Sequence, residues 1–321
     1  MEKKISNKNL NTANKEKKNE FYTQLSDIEK ELGHYKEHFK DKIVFCNCDD
    51  PEESNFWRYF ALNFEFLKLK KLIATHFGNG KPSYKLEIVK DINNDGKINK
   101  LDTIRTPLKQ NGDFRSPECI ENLKEADIVV TNPPFSLFRE YVAQLMEYNK
   151  KFVIIGNINA LSYKEIFKLI KANKIWLGHS IHSGDREFKV PNDYPLNAAG
   201  NRIDENGVKY IRVKGVRWFT NLDYKERHED LILYKKYYGS EKDYPKYDNY
   251  DAINVDITKD TPIDYKGAIG VPITFIDKYN PDQFEILGQM ATTKVDEFNY
   301  GYPFINGKKK YARIIIRNKK V

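Results

Sequence analysis

Two rhythms of hydrophobic positions alternate along this chain. "KIVFCN" (Lys42 to Asn47), "KKLIATHF" (Lys70 to Phe77), "ADIVVT" (Ala126 to Thr131) and "KFVIIGN" (Lys151 to Asn157) are short, nearly unbroken apolar runs, as expected of strands covered on both faces. Between and before them the apolar residues recur at helical spacing. "FYTQLSDIEKELGHYKEHF" begins at Phe21, and "SLFREYVAQLMEYNK" sets Leu137, Phe138, Tyr141, Val142, Leu145 and Met146 on one face with Ser136 as its N-cap. "SYKEIFKLIKANK" groups Ile166, Phe167 and Ile170, and "CDDPEESNFWRYFALNF" reads as a helix capped by Asp49 or Asp50 with Pro51 in its first turn. Strands alternating with helices predict an α/β protein with a doubly wound, parallel sheet. After about Gly178 the texture changes to Tyr, Asp, Gly and Pro with short strands such as "GVPITFI" and "YARIIIR", which predicts an irregular α+β region.

The third strand ends abruptly, in "DIVVTNPPFSLF". Proline has no backbone N–H, so neither Pro133 nor Pro134 can donate to a sheet ladder and the chain must leave the sheet there. The corner presents an amide side chain, a free carbonyl and an aromatic face at one place. In open α/β sheets ligands sit beyond the carboxyl ends of the strands, so "CDDP" and "TNPPF" are expected to face one cleft.

Composition narrows the field. The chain has 321 residues, 40% hydrophobic and 31% charged, enough for two domains of ordinary size. No apolar run approaches the roughly 20 residues that cross a bilayer, and the first 20 residues lack the apolar core of a secretory signal, so no membrane is expected as partner. The three cysteines, Cys46, Cys48 and Cys119, form neither a disulfide framework nor a zinc signature, which favours a reducing cytoplasm. A net charge of +8 points to a polyanionic partner, although the lysine and asparagine richness of an AT-rich genome would give the same figure. Residues 1–19 are Lys/Asn-rich and nearly devoid of apolar side chains, and are expected to be a disordered basic arm.

The Asn132 corner suits one chemistry well. The exocyclic amine of adenine is a weak nucleophile because its lone pair is delocalised into the ring. Acceptors aimed at its N–H bonds, here the Asn132 side-chain oxygen and the Pro133 carbonyl, would localise that pair, and Phe135 offers a face for an extruded base. The ordered segments "FYTQ", "FCNCDDP", "GDFRS", "DIVVTNPPFSLFREY", "WFTNLD", "YPKYDNYDAINV" and "GVPITF", running from Phe21 past Phe275, resemble the EcoRI-type N6-adenine DNA methyltransferases. The resemblance implies S-adenosyl-L-methionine as cofactor, double-stranded DNA as substrate, no obligate protein partner and a restriction-modification setting, with GAATTC as the first site to try. It implies a Rossmann-like methyltransferase domain over residues 20–178 with an insertion at 78–112, and a target-recognition region over 179–321. It places Asn132, Pro133, Pro134 and Phe135 at the catalytic centre. Asp113 and Phe114 would meet the cofactor adenine, Asp49 and Asp50 the methionine ammonium or the ribose, and Phe21, Tyr22 and Thr23 the methionine end.

The match has two departures. "DDPEESN" contains no glycine where such enzymes carry a glycine-rich turn, and "IATHF" offers Thr75 and His76 in place of the acid that usually ends the second strand. Related chemistry on RNA or on a protein glutamine, and a DNA-binding module without activity, are the alternatives. Trp218 and Phe219 fit either base-pocket walls or core. Arg186, Arg217 and Arg227 are candidates for reading guanine edges, because arginine makes bidentate bonds there. No metal is expected. "DINNDGKINKLD" (Asp91 to Asp102) matches a calcium loop as a string, but the alternating "YKLEIVK" before it and the Asp95-Gly96 turn predict a hairpin.

Overall fold

In this computed structural model residues 21–78, 82–192, 194–196 and 200–321 are described; the expected arm at 1–19 lies outside them. The first part of the chain runs β1 (Tyr22–Thr23), α1 (Leu25–Leu32), β2 (Ile43–Cys46), α2 (Asn55–Leu62), β3 (Lys71–Thr75), β4 (Tyr84–Ile88), β5 (Ile104–Pro107), α3 (Pro117–Glu125), β6 (Ile128–Thr131), α4 (Phe138–Glu147) and β7 (Lys151–Asn157). There follow α5 (Lys164–Lys171), β8 (Trp176–Leu177), β9 (Asp185–Val190), β10 (Arg202–Ile203), β11 (Lys209–Lys214) and β12 (Val216–Thr220). The last part holds β13 (Ala252–Asn254), β14 (Ala268–Pro272), β15 (Phe284–Met290), β16 (Phe304–Ile305), β17 (Lys308–Lys309) and β18 (Arg313–Asn318).

The four apolar runs are β2, β3, β6 and β7, and they lie side by side in the order β3-β2-β6-β7, all parallel. The sheet as a whole is mixed, which corrects the all-parallel expectation. β4 and β5 extend it antiparallel beyond β3, and β12 pairs antiparallel with β7. Parallel neighbours need a crossover, whereas β3, β4 and β5 follow one another as adjacent strands and return antiparallel. Here α2 bridges β2 and β3, and α4 bridges β6 and β7. The segment expected as an insertion, 78–112, contains β4 and β5. Asp91 to Asp102 lies in the connection between these antiparallel strands, with Asp91 accepting from the backbone N–H of Asn94 and Gly96 at 2.7 and 2.8 Å.

Two helix starts differ from expectation. Ser54, not Asp49 or Asp50, caps α2, accepting from the Phe56 N–H at 3.2 Å. Residues 51–53 form a turn before it, and Pro51 lies outside the helix. Ser136 sits within a 3-10 turn, Phe135–Leu137, and α4 begins at Phe138 without a side-chain cap.

The described chain divides into two compact units, and their limits do not follow the expected boundary at 178/179. One unit comprises residues up to Ile158 together with Ser183–Leu222; the other comprises Asn159–His182 and Asp223–Val321. Two later strands belong to the first unit: β12 pairs with β7 in the large sheet, and β9 pairs with β1 in a second, antiparallel sheet of order β1-β9-β11-β10. Helix α5 belongs to the second unit, where it packs on β15. That unit is built on the sheet β13-β14-β18-β15 with a core of Tyr247, Ala252, Met290, Ile305 and Ile315. "YARIIIR" supplies β18 as expected, whereas "GVPITFI" is strand only to Pro272, the end of β14, and continues as a 3-10 turn, Ile273–Lys278. The β16–β17 hairpin turns at Asn306 and Gly307, both with positive φ (50° and 71°), the signature of an Asn-Gly turn.

Candidate active site

The carboxyl ends of β2, β3 and β6 form the floor of the candidate site, and buried polar groups tie the ends of β2 and β6 together. The Thr131 hydroxyl, last in β6, donates to the carbonyl of Asn47, just past β2. The Tyr141 hydroxyl from α4 donates to the Asn47 side chain. Burial, with the thiol of Cys48 beside it, pushes the Tyr141 phenol well above its ordinary pKa, so it stays a donor. None of these three was singled out in the sequence as a polar residue, since their partners lie 84 and 94 positions apart.

The corner itself stands on this floor. Asn132 is buried, 5% exposed, and Pro133 is buried beside it. The Pro134 carbonyl accepts from the Leu137 N–H at 2.9 Å, closing the 3-10 turn that carries Phe135. The Asn132 amide N–H donates to the carbonyl of Phe21, while its Oδ1 is buried with no partner among the described residues. The corner is anchored from below by a close approach. A Cβ on Gly156, next to last in β7, would come within 2.6 Å of the Phe138 ring and 2.8 Å of the Phe219 ring. Only glycine lets these rings meet over the strand, at 5.0 Å between centroids.

Beside the corner lie the residues expected at a cofactor. Asp49 is buried and accepts from the Ser54 hydroxyl at 3.0 Å. Asp50 accepts from the Tyr84 hydroxyl at 2.8 Å and the Glu52 N–H at 3.0 Å, and lies 3.7 Å from His76 Nε2. His76 stacks on Tyr84 at 4.7 Å with 19° between the rings, and its Nδ1 is buried without a partner among the described residues. Burial, reinforced by the Asp50 carboxylate, raises the Tyr84 phenol far above its usual range. Gly112, with φ +74°, passes so close that a Cβ would meet the His76 carbonyl oxygen at 2.0 Å. Thr23 is buried and its hydroxyl has no partner among the described residues.

Asp113 and Phe114 follow that glycine, but their side chains are occupied. Both Asp113 oxygens receive the Arg115 guanidinium, at 2.8 and 2.7 Å, and this holds the carboxyl below the usual carboxylate range. Phe114 is buried edge-on against Tyr141 at 5.0 Å.

The outer candidates separate sharply. Trp218 and Phe219 are fully buried in β12, Trp218 edge-on to Phe56 at 6.0 Å and Phe219 on Phe138, which gives both a packing role inside the unit. Arg217 is 3% exposed and donates to its neighbour's carbonyl. Arg227 is buried in the second unit, its guanidinium 3.9 Å over Trp176 and bonded to Asp223 and Asn173. Neither arginine offers a free fork to a base edge. Arg186 keeps solvent access, 26% of its side chain, with Asp27 at 3.9 Å. Among the described residues no helix is long and apolar enough to cross a membrane.

Known proteins resemble this chain in sequence over nearly its whole length. The chain is 51% identical to the type II methyltransferase M.EcoRI of Escherichia coli, covering 100% of this chain and 99% of that protein. It is 41% identical to the type II methyltransferase M.MgeORF184P of Mycoplasma genitalium, covering 97% and 99%, and 40% identical to M.MpnI of Mycoplasma pneumoniae, covering 97% and 98%. The profile of one family, the adenine-specific methyltransferase EcoRI, matches residues 9–319, and the chain belongs to that family.

Proposed function

We propose that this protein methylates N6 of an adenine within a specific sequence of double-stranded DNA, as the protective half of a restriction-modification pair, and that the adenine is extruded into the Asn132 corner. The observation that carries this reading is the orphaned Oδ1 of Asn132. A buried acceptor without a donor is costly, on the order of 1 to 3 kcal/mol, and is retained where a ligand supplies the missing N–H. The N6 amine of adenine has two such N–H groups. Accepting from them favours a pyramidal nitrogen with its lone pair free, and this preference grows as the new bond forms, which is what accelerates a reaction. No general base need act before attack, because the amine can shed its proton once it has become cationic. Phe135, half-buried at the tip of the corner, supplies the stacking face.

S-adenosylmethionine, when bound, supplies an electrophilic methyl group. The residues at the strand ends fit such a group: carboxylates at Asp49 and Asp50 suit an ammonium and ribose hydroxyls, and the unpartnered Thr23 hydroxyl and His76 Nδ1 are polar atoms awaiting a partner. His76 stands where the second-strand acid is missing. The Rossmann-like reading of the large sheet rests on its four parallel central strands. Sequence choice is assigned to groups outside the corner within 179–321. Of the three arginines weighed, Arg186 keeps the access that base reading needs, and the net charge of +8 serves phosphate contacts.

The test is methyl counting with labelled cofactor on duplex DNA, with RNA and protein as parallel substrates. Asn132→Ala is expected to lower single-turnover transfer by on the order of 10²-fold or more, as loss of a transition-state partner does, while leaving S-adenosylhomocysteine affinity nearly unchanged. Transfer to RNA or protein alone, or an equal loss of cofactor affinity in the variant, contradicts the proposal.

A further inference from the structure

We infer that the backbone carbonyl of Phe21 is a positioning group for the reaction: it holds the Asn132 amide with its oxygen turned to the target amine. The inference rests on the reading of Asn132 given above and extends it to a part of the chain 111 residues away. A carboxamide is planar and two-ended, with a donor end and an acceptor end. A side chain free to flip would present N–H and oxygen to the substrate in turn, and only the oxygen is useful. The Phe21 carbonyl removes the ambiguity. It is an acceptor, so it takes the Nδ2 end, and a flipped amide would set two acceptors against each other.

A positioning group must itself be fixed, and the structure fixes Phe21 in three ways. Its ring is 2% exposed and lies 6.0 Å, centroid to centroid, from each of Phe135, Phe188 and Tyr194. The two residues after it, Tyr22 and Thr23, pair with Lys189 and Phe188 of β9. The Thr23 carbonyl accepts a second side-chain amide, that of Asn55 at the start of α2, at 2.7 Å. Strand β1 is therefore a short rail gripped by one amide at each end. The Phe21 ring that anchors the carbonyl also touches Phe135, so base stacking and amide orientation share one support. This gives Phe21 a place in the mechanism without contact with the cofactor.

The test replaces Tyr22 by its α-hydroxy acid, which turns the Phe21–Tyr22 peptide into an ester and weakens the Phe21 carbonyl as an acceptor. The same change at Lys189, the ladder partner of Tyr22, weakens the strand pairing without touching that carbonyl and serves as control. The Phe21 ester is expected to lower single-turnover methyl transfer by roughly threefold to tenfold, the worth of one hydrogen bond, with affinities for S-adenosylhomocysteine and DNA unchanged. The Lys189 ester should retain the rate. The decisive comparison is made in Asn132→Ala, where the Phe21 ester has no amide left to orient and should cost nothing more. Phe21→Leu, which keeps an apolar anchor, should hold more of the rate than Phe21→Ala. A loss of the same size in both backgrounds, an unchanged rate in the native background, or a parallel loss of cofactor affinity overturns the inference. Full activity in Asn132→Ala alone would remove the reading beneath it, and this inference too.

Discussion

At the scale of single residues, some positions of the site are held by covalent geometry and others by partners far away in the chain. Two prolines after a buried strand announce a corner whatever surrounds them, and Asn132 stands there. Trp218 and Phe219 could not be resolved in the same way, because an aromatic serves a core and a cleft equally well. In the structure both rings are buried inside the first unit. Gly156 was not singled out at all, since a glycine in a strand carries no mark of what approaches it. Its neighbours make it testable. Gly156→Ala drives a methyl group into the Phe138 and Phe219 rings, with first contacts at 2.6 and 2.8 Å, and overpacking of this kind costs about 1 to 3 kcal/mol. Scanning calorimetry should show melting lowered by several degrees, and an unchanged melting temperature would mean that the rings yield freely.

At the scale of elements, apolar runs identified the central strands, while the antiparallel edges depended on connections that periodicity does not encode. The helix caps were misplaced for a related reason: Asp49, Asp50 and Ser54 are all competent N-caps, and only the turn at 51–53 selects Ser54. One element-level feature of the second unit had no sequence signal. The 3-10 turn Lys225–His228 is pinned by its histidine. His228 Nδ1 faces Asp282, and Nε2 faces both oxygens of Asp223 at 3.0 and 2.9 Å. Hydrogen bonding to Asp282, then to Asp223, raises the imidazole pKa, and the same pairing lowers both carboxyls. The sign follows from linkage. A histidine whose folded pKa exceeds its unfolded value of about 6.5 stabilises fully below that value, and the contribution fades as pH rises through the folded pKa. The lowered carboxyls keep the pair intact on the acid side until pH falls through their folded values. Melting temperatures of the wild type and His228→Gln should therefore differ most near pH 5 to 6.5 and converge in alkali. A gap that widens with pH would contradict the pin.

At the scale of the whole molecule, the division of labour expected from the order of motifs does not coincide with the division of structure. Motif order suggested a cut after residue 178, because the polar texture changes there. Texture reports local composition and does not encode long-range pairing, and β9 and β12 pair backwards into the first unit. A fragment ending at residue 178 would lack the partner of β1 and the antiparallel neighbour of β7, leaving two sheet edges open. It is expected to aggregate or to show no cooperative melting. A soluble, cooperatively folded 20–178 fragment would show that the later strands are dispensable.

The interleaving of the two units has a consequence during synthesis. As the chain leaves the ribosome, β2, β3, β6 and β7 emerge by residue 157, yet the strand that covers the outer edge of β7 is not translated until 216–220. The intervening stretch 159–182 is destined for another compact unit, whose remaining residues begin only at 223. The nascent protein must therefore carry an exposed β7 edge and an orphaned helix α5 at the same time. Pairings between positions so far apart in sequence form slowly, and an uncovered edge invites pairing with the wrong chain. Slower elongation between residues 158 and 222 should lower the yield of native enzyme, and a chaperone that shields strand edges should restore it.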